Sequence, residues 1–144
     1  MKVLYTAEAE VSGGRDEGHG RTSDGELEVD IRIPKELGGP GGGTNPEQLF
    51  AIGFASCFEN AMKVVGARKK VDVSGSSIAS KVMLGPSEER GFLLAVELDV
   101  TVPSAGAEEA AEIVRTAHKV CPYSHATRGN IDVKLTANGE VVDV

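Results

Sequence analysis

The chain has 144 residues, a formal net charge of −7, two Cys, four Phe, two Tyr and no Trp. That length suits one domain, residues 1–144, large enough to bury a core without help from disulfides or metals. An acidic chain without a basic cluster or stacking aromatics cannot gather phosphates or hold bases, which excludes nucleic acid and anionic membranes as expected partners.

Val3, Tyr5, Ala7, Ala9 and Val11 alternate at period two and predict a half-buried strand over Lys2–Ser12. Gly13, Gly14, Gly18 and Gly20 predict a turn-rich connection carrying Arg15, with a short extended segment over 21–24. Leu27, Val29, Ile31 and Ile33 then alternate with Glu26, Glu28, Asp30 and Arg32, giving one core face and one wet face until Pro34. The Gly38–Gly43 loop reads as a flexible connection. It is not a phosphate cradle, because no Lys-Ser or Lys-Thr follows it.

Thr44 and Asn45 are good N-cap residues and Pro46 suits a first helical turn, so a helix is predicted from Pro46 to about Arg68. It is apolar nearly all round through Phe58, and a helix with no polar face must be covered on every side, here by a subunit interface. Period-two runs over 76–84 and 92–102 predict a hairpin. Ala110, Ile113, Val114, Ala117 and Cys121 recur at helical spacing, and Pro122 ends that helix or opens a short one through about Thr127. Ile131, Val133 and Leu135 predict a late strand, and Asn138-Gly139 a tight turn into a short last one. The expected fold is α+β, with strands around a buried central helix in the order βββ-α-ββ-αα-β.

No apolar N-terminal run follows a basic segment, and the longest apolar run, around residues 49–58, is too short to span a bilayer. A cytoplasmic protein without a membrane partner is expected, and in that compartment disulfides are chiefly catalytic or sensing. Cys57 lies midway along the apolar helix, whereas Cys121 opens the segment Cys-Pro-Tyr-Ser-His-Ala-Thr-Arg-Gly-Asn-Ile. Such a pair is a staple, part of a metal site, two small buried hydrophobes or a redox couple. His118 and Cys121 share helical spacing, but a structural zinc wants four ligands and the spacing supplies no more. The buried-hydrophobe reading fits Cys57 better than Cys121, which stands at a helix end. Catalysis would need a cation to hold Cys57 as thiolate. Arginine suits a peroxidase, since it stays charged and can hydrogen-bond a peroxide oxygen; Arg15 beside Gly14 and Arg128 beside Gly129 are the candidates.

Gly13-Gly14-Arg15, Gly43-Thr44-Asn45-Pro46-Glu47-Gln48-Leu49-Phe50, Ala55-Ser56-Cys57-Phe58 and the segment from Cys121 to Ile131 resemble the organic hydroperoxide resistance proteins, a branch of the osmotically inducible protein C-like superfamily. The resemblance runs from about Tyr5 to Leu135. It implies a peroxidatic Cys57, a resolving Cys121, an Arg15 that polarises the peroxide and a Glu47 that fixes the guanidinium through paired hydrogen bonds. It also implies an intertwined homodimer that reduces alkyl or lipid hydroperoxides without haem, flavin or metal and is recycled by a dithiol such as a reduced lipoyl group. Phe50, Phe54 and Phe58 are the candidate apolar lining for substrate, with plain core as their other reading. Glu59 and Asn60 depart from the small or apolar residues expected there. The alternative function is a redox-sensing or ligand-binding dimer of the same superfamily without high turnover.

Two spatial expectations follow. A disulfide needs Cα atoms within about 7 Å, so the end of the second helix must lie against the middle of the first. Glu47 and Cys57 are ten residues apart, a rise of about 15 Å on one straight helix. Either that helix breaks, or Arg15 and Glu47 serve the cysteine of a partner subunit.

Overall fold

A computed structural model describes residues 1–144. The chain divides into two compact units, Met1–Leu49 and Phe50–Val144. The whole is α+β, in the expected order and with the short last strand expected after Asn138-Gly139.

The first unit is a three-stranded antiparallel sheet of β1 (Ala9–Ser12), β2 (Gly18–Thr22) and β3 (Glu28–Ile31), in that order. The strand expected over Lys2–Ser12 is real only from Ala9, which faces Thr22 in the register. β2 turns away after Thr22, so earlier residues have no strand to pair with, and Val3, Leu4 and Tyr5 are exposed. Gly18 and Gly20, expected in a connecting loop, lie within β2, which leaves Gly13–Glu17 as the turn. β3 stops at Ile31, where the Arg32 N–H bonds the Thr44 carbonyl at 2.9 Å instead of a strand neighbour.

α1 spans Pro46–Lys69 without a break. Its start is fixed by Asn45, whose Oδ1 accepts the Gln48 N–H at 2.9 Å, with Thr44 Oγ1 donating to Gln48 Oε1 at 2.9 Å. The first of these bonds satisfies a backbone donor that the first turn leaves free.

The second unit has a four-stranded sheet in the order β4 (Ser77–Ser87), β5 (Gly91–Thr101), β6 (Asp132–Ala137) and β7 (Glu140–Val142). β4 and β5 form the expected hairpin, while β5 and β6 run parallel. Parallel neighbours need a crossover, and α2 (Ala107–Val120) with α3 (Pro122–Thr127) supplies it. Val96, Leu98 and Val100 on β5, Val102 just after it, Leu135 and Ala137 on β6, and Ala110, Ile113, Val114 and Ala117 on α2 form one core with Phe54, Phe58, Ala61, Met62 and Val65 of α1. Removing each large aliphatic side chain from water contributes about 1.5–3 kcal/mol. The period-two face of β5 is buried only from Val96 onward; Phe92, at the hairpin tip, is exposed.

α1 meets the length and apolar content of a membrane span, although its apolar stretch was expected to be too short. Its inner face packs into the core just described, and Gln48, Ser56, Asn60 and Lys63 are among its exposed residues. In the single chain the helix is therefore buried along one side rather than all round, with Ile52 left 71% exposed.

On the outer face of the first sheet, His19 bridges two carboxylates, with Nδ1 2.9 Å from Asp30 Oδ1 and Nε2 3.0 Å from Glu28 Oε1. Two acceptors on one imidazole favour its doubly protonated form. The hydrogen bond to Asp30, then that to Glu28, raises its pKa above the ordinary 6.5. A raised pKa stabilises the folded state most below the unfolded value, and this contribution disappears as pH climbs through the folded one. Thermal unfolding of wild type and His19→Gln across that range is therefore expected to show the largest deficit in the variant below pH 6.5 and convergence in alkali. A deficit independent of pH would contradict this.

Candidate active site

α1 carries Cys57 on its inner side, partly buried, and Cys121 occupies the residue between α2 and α3, with no exposed surface. Both are free thiols, and their sulfurs lie 3.7 Å apart. The end of the second long helix thus does lie against the middle of the first. Cys121 is reached because α2 stops there: its φ of −66° and ψ of 125° are extended rather than helical.

Desolvation is the main influence on Cys57 and pushes its thiol pKa up, with the Cys121 thiol acting in the same direction. The backbone N–H of Tyr123, in the first turn of α3, bonds the Cys57 sulfur and opposes that rise. Tyr123 escaped sequence reasoning as a site residue. Its signal was the Cys-Pro-Tyr frame, in which Pro122 starts a new helical turn and aims the next amide outward.

The Tyr123 ring stacks on Phe50 with centroids 6.0 Å apart and tilts against Phe54 at 5.7 Å; Phe50 and Phe54 are 5.8 Å apart. Gly53 makes room for this ring, since a Cβ there would sit 3.3 Å from the tyrosine hydroxyl. Phe54 and Phe58 are wholly buried core residues, whereas Phe50 is only partly buried. Glu59 stands about 200° round the helix from Cys57, and its carboxylate accepts the Ser76 hydroxyl at 3.2 Å.

In the first unit, Arg15 sits in the Gly13–Glu17 turn. Gly13 has a φ of +81°, and a Cβ there would fall 2.2 Å from the Glu17 carbonyl oxygen, so this tight turn requires glycine. The guanidinium grips Glu47 in a fork, with Nη1 to Oε2 at 3.0 Å and Nη2 to Oε1 at 2.8 Å. The bond to Glu47 raises the Arg15 pKa, and the same bond lowers that of Glu47. Arg15 remains 45% exposed along its side chain, so it is a charged group facing solvent while its orientation is fixed by the carboxylate.

The other candidate cation, Arg128, is engaged elsewhere. Its Nη2 donates to the His118 carbonyl at 2.6 Å. His118 Nδ1 lies 3.0 Å from Ser124 Oγ, and burial, with Arg128 nearby, pushes its pKa down from 6.5. No three His, Cys, Asp or Glu side chains converge in an arrangement that would hold a metal ion.

Residues 39–136 match the family of OsmC-like proteins. The chain belongs to that family. It is 53% identical over 137 residues to the organic hydroperoxide resistance protein of Xanthomonas axonopodis pv. citri, covering 94% of this chain and 95% of the relative. The crystal structure of an organic hydroperoxide resistance protein from Legionella pneumophila superposes with a TM-score of 0.90 at 48% identity, over 94% of this chain and 98% of that one. One from Elizabethkingia anophelis gives a TM-score of 0.89 at 46% identity, over 95% and 98%. This OsmC-like chain therefore shares its fold along nearly its whole length with the organic hydroperoxide resistance proteins.

The exposure of Arg15 sets what its pairing is worth to the fold. Glu47→Gln is expected to cost less than about 1 kcal/mol in denaturant unfolding, as exposed ion pairs do. A substantially larger loss would mark the pair as a structural clamp.

Proposed function

We propose that this OsmC-like protein is a cysteine-based peroxidase that reduces organic hydroperoxides to alcohols. The observation that carries this reading is the 3.7 Å separation of two free thiols, one partly accessible and one buried. The names of its close relatives, organic hydroperoxide resistance proteins, supply the substrate class.

The Cys57 thiolate attacks the terminal oxygen of the hydroperoxide. The O–O bond breaks, the alkoxide leaves as an alcohol after taking a proton, and Cys57 becomes a sulfenic acid. Cys121 attacks that sulfur and expels water, closing a disulfide before a second peroxide drives Cys57 to the irreversible sulfinic acid. A lipoyl-type dithiol reopens the bond by exchange. Phe50, Phe54 and Tyr123 form an aromatic group beside Cys57, with Phe58 in the core beneath, and this group favours an alkyl chain over hydrogen peroxide.

Arg15 lowers the thiol pKa and polarises the peroxide, and Glu47 holds the guanidinium in a single orientation. Because α1 is unbroken, the ten-residue step from Glu47 to Cys57 spans about 15 Å of helix. This supports an Arg15–Glu47 pair that serves the cysteine of a second copy in a homodimer. The exposed apolar residues Ile52 and Val64 of α1, and Val3, Leu4 and Tyr5 of the unpaired N-terminal segment, give that copy a surface to cover. The setting proposed is the cytoplasm.

Turnover of cumene hydroperoxide with excess dithiol tests the reading against a sensor that oxidises once. Cys57→Ser is expected to abolish turnover, and Cys121→Ser to permit one reduction before stalling. Equal loss in the two variants would contradict the assigned order. Mixed dimers of Cys57→Ser and Arg15→Ala chains are expected to recover one working site per mixed dimer, and complete inactivity would contradict sharing across the interface.

A further inference from the structure

Cys121 separates two helices that are tied to one another around it. In a continuing helix the His118 carbonyl would accept the N–H of residue 122, but that residue is Pro122 and has none. The Arg128 guanidinium takes the vacated place at 2.6 Å, and its positive charge suits a helix C-terminus. On the same residue, the imidazole Nδ1 meets Ser124 Oγ at 3.0 Å, with both side chains buried. Thr127 Oγ1 closes the last turn of α3 on the Tyr123 carbonyl at 2.9 Å. His118 in α2 is thus tied twice, to Ser124 within α3 and to Arg128 at its end, by bonds that bypass the cysteine.

We propose that Arg128, His118 and Ser124 form a strap that positions Cys121 for the resolving step. This rests on the peroxidase reading above. In that step the Cys121 sulfur bonds to the sulfur of the Cys57 sulfenic acid, the S–O bond breaks, and hydroxide leaves with the Cys121 proton as water. Cys57 receives its oxidising equivalents from one organic hydroperoxide, so no other oxidant is needed. The sulfenic acid is consumed either by Cys121 or by a second peroxide. Which wins depends on how often the second sulfur stands within bonding reach, and an anchored neighbour at 3.7 Å favours Cys121. The strap acts through backbone placement: Arg128 and His118 are positioning residues for a reaction carried by the two sulfurs.

The test separates the two chemical steps in Arg128→Ala, with Arg128→Lys as a variant that restores one donor to the His118 carbonyl. Reduced protein is mixed rapidly with one equivalent of cumene hydroperoxide. Alcohol release times the first step, and loss of both thiols by intact mass times the second. Arg128→Ala is expected to release alcohol at the wild-type rate but to close the disulfide about tenfold more slowly, the scale of one lost charge-assisted hydrogen bond. It is also expected to accumulate Cys57 sulfinic acid under excess peroxide, and Arg128→Lys to recover part of the closing rate. Disulfide closure at the wild-type rate in Arg128→Ala would overturn the proposal, as would slowing of both steps by one factor in both variants. Failure of the wild-type chain to release alcohol would overturn the peroxidase reading itself, a different result from either.

Discussion

The geometry at the two sulfurs depends on Pro122. A residue with an N–H there would let α2 run on past Cys121 and carry the following segment out along the helix axis. With proline, the helix ends, α3 starts in a new direction, and three consecutive residues acquire separate tasks. Cys121 presents a buried sulfur to α1, Pro122 opens the new turn, and Tyr123 sends its amide to Cys57 and its ring onto Phe50 and Phe54. The parallel pairing of β5 with β6 forces this segment to be a crossover, so the helix break also returns the chain to the sheet.

Burial and reactivity pull Cys57 in opposite directions. Its place against the core brings it to Cys121 but disfavours the thiolate, and a single backbone N–H offsets only part of that. A peroxidase built on this pair therefore needs a cation that arrives without adding permanent bulk to the core. Arg15 has the required properties: it is half exposed, held on a short turn and oriented by a carboxylate rather than by packing. Arg128 is also exposed, but its guanidinium is bound to the His118 carbonyl rather than to a carboxylate. Two arginines beside glycines look alike in the sequence but have different partners, because only Arg128 lies ten residues after a carbonyl, that of His118, which Pro122 leaves without its helical donor.

Much of this architecture was legible in the residues themselves. Alternation along β5 from Val96 onward and the 110, 113, 114, 117 spacing of α2, continued by Cys121 just after it, match the buried faces, because each is set by a local period against one core. Alternation alone misjudged Lys2–Glu8, since period two reports a face and not the presence of a partner strand. The glycines of β2 read as loop, as glycine in a strand interior usually weakens it. The parallel register of β5 and β6 has no local signal at all. At the site, the two cysteines and the Arg15–Glu47 fork were expected, the latter from resemblance. Tyr123 and the Arg128 cap were missed because a backbone amide and a backbone carbonyl leave no mark on side-chain patterns.

The central proposal is that Arg15 makes the partly buried Cys57 thiol nucleophilic. Ultraviolet titration of the Cys57 thiolate in a Cys121→Ala background, with and without Arg15→Ala, measures this directly in the assembled protein. Control by Arg15 predicts a thiolate already formed at neutral pH when the arginine is present, and a midpoint displaced upward, toward or beyond the ordinary thiol value, when it is removed. Coincident midpoints in the two proteins would contradict it.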